Sequence, residues 1–205
     1  MASAENMEIS DIACVILAGG RSRRFGKDKG LATVHGKLMI EHSIERLRAQ
    51  TRGQIVINAR RGSDYAKLGL DIIEDALTDV DGPLAGIHAA LAWAEHQNLA
   101  AVITSAVDTP LIPEDFISAL SRTGNPAVAT YNGQVHPLHG YWPVNCKDRL
   151  EQLLNNGTRT AKAWADVSLA MQCEFEASYD PFFNVNTGED LIDAHMILSK
   201  LEAST

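Results

Sequence analysis

Apolar residues along the chain fall into two alternating patterns. Cys14-Val-Ile-Leu-Ala18 is an unbroken β-prone run that stops at Gly19-Gly20. A short run apolar on both faces suits a strand buried inside a parallel sheet. Similar runs recur at Ile55–Ile57, Leu70–Ile73 and Ala101–Val107. Between them the apolar spacing becomes helical. Ile40, Ile44 and Leu47 repeat at i, i+4, i+7, and Leu84, Ile87, Leu91 and Ala94 at i, i+3, i+7, i+10. Strands alternating with helices of this length predict βαβ units, hence a three-layer α/β fold on a mainly parallel sheet.

The middle of the chain breaks that rhythm. Ala127–Thr130 and Leu138–Val144 read as strands with Asn132-Gly133, a hairpin turn signal, between them. An antiparallel excursion from the sheet is expected there. Helical segments follow at about 145–154 and 159–165. A last helix starts at Thr187, where Thr187-Gly-Glu-Asp190 resembles a capping box with Asp in place of Glu. Leu191, Ala194, Leu198 and Leu201 form its buried stripe. Residues 1–11 are polar and expected to fray. With no repeat, low-complexity stretch or linker, 12–205 are expected to form one domain.

Composition narrows the function classes. The 205 residues carry 18 Lys+Arg against 26 Asp+Glu, a formal net charge of −8, with 45% hydrophobic and 21% charged residues. This excludes disordered and collagen-like chains. The negative total opposes a nucleic-acid-binding surface spread over the fold. No apolar run reaches the roughly 20 residues of a membrane span. The N-terminal segment also lacks the basic start of a secretory signal. Cys14, Cys146 and Cys173 are odd in number and show no CxxC spacing, so reduced thiols in a cytoplasmic protein are expected. What matters is where the 18 positive charges sit.

Five of them, Arg21, Arg23, Arg24, Lys27 and Lys29, fall within nine positions right after the first strand, opposed only by Asp28. The loop opens with Gly19-Gly20, where backbone can approach a ligand closely. Clustered Arg and Lys neutralise phosphate charge. Strand, glycines and basic loop together suit a triphosphate at the carboxyl end of a parallel strand. Counting excludes two standard phosphate motifs. Gly20 and Gly26 are separated by five residues, with Asp28 after Lys27, so this is no Walker A loop. Gly19 and Gly20 are adjacent, so it is no G-x-G-x-x-G loop either. The alternative is a surface turn whose charges are simply solvated.

Other candidates lie at strand ends and turns. Asp108 follows the run Ala101–Val107 and is either a Mg²⁺ ligand or the start of a turn that Pro110 stiffens. Asp75 either accepts hydrogen bonds from a base or ribose or merely ends its strand. Asn184 and Asn186 precede the last helix, where turn and cap roles compete with metal or phosphate contacts. His136 and His139 lie three apart on an expected strand, a spacing that points them to opposite faces. A paired-histidine metal site is therefore not expected, and His136 is assigned with Asn184 to the acceptor side of a cleft. His88 and His195 have no nameable partner.

The loop Leu17-Ala-Gly-Gly-Arg-Ser-Arg-Arg-Phe-Gly-Lys-Asp-Lys29 resembles the nucleotidyltransferase signature L-A-G/A-G-x-S-x-R-x-G-x-x-K, most of all that of the molybdenum cofactor guanylyltransferases. Further matching segments follow in order: Ile57-Asn-Ala59, Ile73-Glu-Asp75, Gly82-Pro-Leu-Ala-Gly86, Val107-Asp-Thr-Pro110, His136-Pro137 and Phe183-Asn-Val-Asn-Thr187. The loop is one residue shorter between Arg24 and Asp28-Lys29, so Lys27 and Lys29 both stand as the main phosphate contact. The resemblance implies a Rossmann-like nucleotidyltransferase fold and transfer of GMP from GTP to molybdenum-molybdopterin, releasing pyrophosphate. It makes Asp108 the Mg²⁺ ligand and Asn186 a second one, with Arg24, Lys29 and Asp108 catalytic. Leu17, Ala18, Gly19, Gly20, Arg21, Lys29, Asn58, Asp75 and Asp108 become nucleotide contacts. Transient partners that make or receive the cofactor are implied too. Gly20 favours guanine nucleotides over cytidine nucleotides. The alternatives are a CTP-dependent molybdopterin cytidylyltransferase, a sugar-phosphate nucleotidyltransferase, or a nucleotide-binding module without catalysis.

Overall fold

The computed structural model describes residues 11–19, 28–77 and 82–203. The fraying expected for 1–11 lies outside these residues except for Asp11, whose carbonyl accepts from the Ala100 N–H at 2.9 Å; Gly20, Arg21, Arg23, Arg24 and Lys27 also lie outside them. In chain order come β1 (Ile12–Leu17), β2 (Thr33–Val34), β3 (Lys37–Leu38) and α1 (Met39–Gln50). Next are β4 (Ile55–Asn58), β5 (Asp71–Ile73), α2 (Pro83–His96), β6 (Ala101–Ala106) and α3 (Phe116–Ser121). The chain continues through β7 (Ala127–Tyr131), β8 (Gln134–Pro143), α4 (Lys147–Asn155), α5 (Ala161–Val167), β9 (Met171–Glu174) and α6 (Gly188–Glu202).

Seven strands form one sheet in the order β5-β4-β1-β6-β8-β7-β9, and β2–β3 make a small hairpin beside it. Strands β5, β4, β1 and β6 are mutually parallel. β8 runs antiparallel to both of its neighbours, β6 and β7, while β9 pairs parallel with β7. This is the expected three-layer arrangement with its antiparallel excursion. The turn at Asn132-Gly133 has φ of 49 and 73, the left-handed pair of a two-residue hairpin turn.

Every residue of β1 is buried, which explains its unbroken apolar run. Ile12, Cys14 and Ile16 face one core with Ile40, Ile44 and Leu47 of α1 and Phe116 and Leu120 of α3. Val15 and Leu17 face the other with Leu84, Ile87 and Leu91 of α2, Leu150 of α4 and Trp164 of α5. Strand alternation thus feeds both layers at once. Trp142 and Trp164 are fully buried with ring centroids 5.5 Å apart, and the Trp142 Nε1–H donates to Thr104 Oγ1 at 2.9 Å. A third cluster, Val34, Met39, Leu111, Val185, Ala194 and Leu198, seats α6 against the β2–β3 hairpin.

Helix starts follow local chemistry. Pro83 opens α2 after Gly82, where a missing N–H costs nothing. The expected cap at Thr187 is present: the Asp190 N–H donates to Thr187 Oγ1 and the Thr187 N–H donates to Asp190 Oδ2. Among the described residues no helix is long and apolar enough to cross a membrane.

One expectation fails. His136 and His139 do not point to opposite faces: each ring centroid lies 4.9 Å from that of Phe182. Ala129 pairs with His136 but Val128 pairs with Gly140, so residues 137–139 bulge out of the ladder. A bulge re-aims side chains, and the period-two rule stops at that point.

Candidate active site

A cleft of about 650 Å³ opens at the carboxyl ends of β1, β4, β5 and β6, where ligands of open α/β sheets collect. It is lined by Leu17, Ala18 and Gly19 after β1, Asn58 to Arg60 after β4, Glu74, Asp75 and Leu77 after β5, and Ala106 to Asp108 after β6. Asp28, Lys29, Tyr65, Gly82, Pro83, Gly86, Leu138 and Asn186 complete it. Of the sequence candidates within the described residues, Leu17, Ala18, Gly19, Lys29, Asn58, Asp75, Asp108 and Asn186 all reach this cleft.

Lys29 is its central cation. The Nζ donates to Asp108 Oδ2 and to Asn186 Oδ1, each at 2.6 Å. The Lys29 side chain is 8% exposed and that of Asp108 24%, so the pair sits at the cleft floor. Lys29 lies 79 residues from Asp108 and 157 from Asn186, so this contact unites three distant segments. The Val185 N–H donates to the Asp108 carbonyl at 2.9 Å, which fastens the Asn186 segment to the end of β6.

A buried network fixes the turn that carries Asp108. Thr109 Oγ1 donates to the Ala106 carbonyl at 2.7 Å and lies 2.7 Å from His139 Nε2. Ser43 Oγ donates to the Thr109 carbonyl at 3.3 Å. Complete burial pushes the His139 imidazole pKa down to about 3, with neighbouring His136 adding a smaller push the same way. Burial also lowers His42, His88 and His136. A histidine whose folded pKa is depressed stabilises the fold fully above its unfolded pKa of about 6.5, and that stability is lost as pH falls. For His139 the loss runs from about pH 6.5 to about 3. By about pH 5 it reaches about 2 kcal/mol. The urea midpoint is accordingly expected to fall between about pH 7.5 and about pH 5, and His139→Gln to flatten the change.

The opposite end of the cleft is built round Asn58. Its Nδ2 donates to Asp75 Oδ1 at 2.9 Å and to the Ile73 carbonyl at 3.3 Å. The Ala18 N–H donates to the Asn58 carbonyl at 2.8 Å, and the Leu17 carbonyl accepts from the Val107 N–H at 3.1 Å. These sheet bonds hold the chain before Gly19 against Asn58. A Cβ on Gly19 would lie 3.1 Å from Asn58 Oδ1, and one on Gly86 only 2.4 Å from it. Gly86 therefore lets α2 approach Asn58, a packing role that the segment Gly82–Gly86 does not reveal from sequence alone. Asp75 is exposed and turns a carboxylate toward the cleft.

Tyr65 and Arg60 were missed by sequence reasoning. Tyr65 is buried beside Gly30, whose added Cβ would lie 2.8 Å from its hydroxyl. Burial pushes its phenol up to about 12, so it remains a protonated hydroxyl. Nothing in the run Asp64-Tyr65-Ala66 marks it; only the fold brings it against Gly30. His136, expected on the acceptor side, is buried against Phe182 and is not among the residues lining this cleft, whereas Leu138 is. Asn184 is exposed and off the cleft wall, its carbonyl accepting from Asn186 Nδ2 at 3.3 Å.

The residues that line the cleft fit a divalent cation. Asp108 and Asn186 present two hard oxygens already gathered about a positive charge, the Lys29 ammonium. Among the described residues no three His, Cys, Asp or Glu side chains converge on a metal position. Mg²⁺ accepts such sparse protein ligation, keeping waters and taking phosphate oxygens.

Residues 14–170 match the MobA-like NTP transferase domain family. A molybdenum cofactor guanylyltransferase of Rhizobium leguminosarum bv. trifolii is 34% identical over 206 residues, covering 95% of this chain and 96% of its own. One from Rhizobium meliloti is 38% identical, covering 92% of each chain. Molybdopterin-guanine dinucleotide biosynthesis protein A from Archaeoglobus fulgidus superposes with TM-score 0.70 at 26% identity, covering 92% of this chain and 99% of its own. The 4-diphosphocytidyl-2C-methyl-D-erythritol synthase of Anaerococcus prevotii, 13% identical over 94% of this chain and all of its own, shares the fold with TM-score 0.69. By family match and by relatives aligned along nearly their whole length, the chain belongs to the MobA-like NTP transferases, within the molybdenum cofactor guanylyltransferase family.

Proposed function

We propose that the chain transfers GMP from GTP to the terminal phosphate of molybdopterin carrying molybdenum, forming the guanine dinucleotide cofactor. A phosphate oxygen of the acceptor attacks the α-phosphorus, the bond from that phosphorus to the bridging oxygen breaks, and pyrophosphate leaves with the electron pair. The acceptor is already anionic, so the site needs no strong base. It needs neutralised charge and in-line alignment.

The observation that carries this reading is Lys29 between Asp108 and Asn186 in the cleft that also holds Asn58 and Asp75. Lys29 supplies a positive charge for the phosphates, joined by Arg21 and Arg24 of the glycine-rich loop. Asp75 and the backbone at Gly19 receive the base and ribose. Asp108 and Asn186 would hold Mg²⁺, which when bound neutralises phosphate charge as a Lewis acid. The names of the relatives support GTP, and so does Gly20 in the sequence. A cytoplasmic setting and brief contacts with proteins that make or receive the cofactor complete the reading.

Calorimetric titration with Mg²⁺ present tests the nucleotide. GTP is expected to bind at least about tenfold more tightly than CTP, a difference of about 1.4 kcal/mol. Equal affinities would shift the reading to the cytidylyl alternative.

A further inference from the structure

His195 finds a partner in the fold: His35, at the turn of the β2–β3 hairpin. His35 and Gly36 have φ of 47 and 79, the left-handed pair of a two-residue hairpin turn. A histidine tolerates that backbone less readily than glycine, so its presence points to its side chain. The His35 ring faces α6 through three contacts. Its Nε2 lies 2.9 Å from Glu202 Oε2, and its Nδ1 lies 3.2 Å from Ser199 Oγ and 3.4 Å from His195 Nδ1.

A carboxylate only accepts, so the His35 tautomer that donates from Nε2 to Glu202 keeps a lone pair on Nδ1. Ser199 Oγ donates to the His195 carbonyl at 2.9 Å, so its proton is already in use. The separation of 3.4 Å between the two Nδ1 atoms is long for an N–H···N hydrogen bond. It matches two nitrogens on one tetrahedral ion. With metal–nitrogen bonds of about 2.0–2.1 Å, the tetrahedral angle sets them about 3.3 Å apart, against about 2.9 Å for a right angle. A carboxylate behind the far nitrogen of a ligating histidine is the usual outer partner, fixing tautomer and orientation. Next to the turn, Lys37 pairs with Glu45 at 2.7 Å, and Glu202 carries the carboxylate that faces His35.

We propose that His35 Nδ1 and His195 Nδ1 form a surface site for a tetrahedral divalent transition metal of the Zn²⁺ class, backed by Glu202 and completed by water. Imidazole donors select such an ion, whereas the oxygens of Asp108 and Asn186 suit a hard one. The ion ties the β2–β3 turn to α6, the helix whose capped start adjoins Asn186. Its effect is on folding stability, by mass action on the native state.

Zinc chloride titrated into the full chain with excess Mg²⁺ present is expected to show one saturable Zn²⁺ per chain. Co²⁺ is expected to give the intense visible bands of tetrahedral coordination. His195→Ala, and His35→Asn, which preserves the left-handed turn, each lower Zn²⁺ affinity at least about tenfold, and Glu202→Gln lowers it about 10–100-fold. Zn²⁺ raises the Tm of the unaltered protein but not of either histidine variant. The site is overturned if Zn²⁺ uptake does not saturate, if both histidine variants keep full affinity, as capture by Cys173 would produce, or if the Co²⁺ spectrum is octahedral.

Discussion

Asp108→Ala lowers kcat by about 10³-fold while the protein still folds. The loss is large because the reaction gathers negative charge from two phosphorylated substrates at one point. Asp108 stands where β6 delivers the chain to the cleft, with Lys29 at 2.6 Å. Without its carboxylate the divalent cation loses its only charged protein ligand in the proposed site, and Lys29 loses the partner that aims it. Folding survives for two reasons. The backbone bond from the Val185 N–H runs to the Asp108 carbonyl, which alanine retains. Asn186 Oδ1 still accepts from Lys29, and the cleft admits water to the ammonium. Steady-state kinetics beside a urea melt checks both halves; near-normal turnover would remove Asp108 from the metal role.

Lys29→Met lowers kcat/KM by about 10²–10³-fold. Methionine keeps most of the aliphatic stem that fills this buried position and removes only the charge. Arg60, the other described cation lining the cleft, is exposed and does not replace it. Four acidic residues, Asp28, Glu74, Asp75 and Asp108, line the same cleft, so a triphosphate meets repulsion unless Lys29, the loop arginines and a divalent cation offset it. Because Lys29 and Asp108 touch, their losses are not additive. The double variant Lys29→Met, Asp108→Ala is expected to be about as slow as Asp108→Ala alone. Fully multiplicative losses in that cycle would show that the two residues act independently.

The reasons these residues were legible in the sequence are physical. β1 announces itself because it is buried on both faces, and the strand end then fixes where Gly19 and Lys29 begin to matter. Asp108 was readable for the same reason, at the end of the wholly buried β6, and Asp75 because it closes the short run that ends at Ile73. The cap at Thr187 was legible because capping is local chemistry. What stayed hidden depends on contacts between distant segments. Tyr65 reaches Gly30 only through packing, and Gly86 matters only because Asn58 lies against α2. The short elements β2, β3, α3 and β9 carry too few residues to show a period. The histidine pair was misread because a bulge at 137–139 cancels the alternation from which its faces were deduced. The basic loop was conspicuous by charge density alone, yet apart from Asp28 and Lys29 it lies outside the described residues.

On this reading the chain joins a guanine nucleotide to a molybdenum-carrying molybdopterin. The direct measurement is pyrophosphate release on adding that acceptor to the enzyme with GTP and Mg²⁺, with the dinucleotide product weighed by mass spectrometry. The predicted result is equimolar pyrophosphate and guanine dinucleotide, dependent on the acceptor, with Asp108→Ala at background. Release that ignores the acceptor, or a product carrying cytidine from CTP at an equal or greater rate, would contradict it.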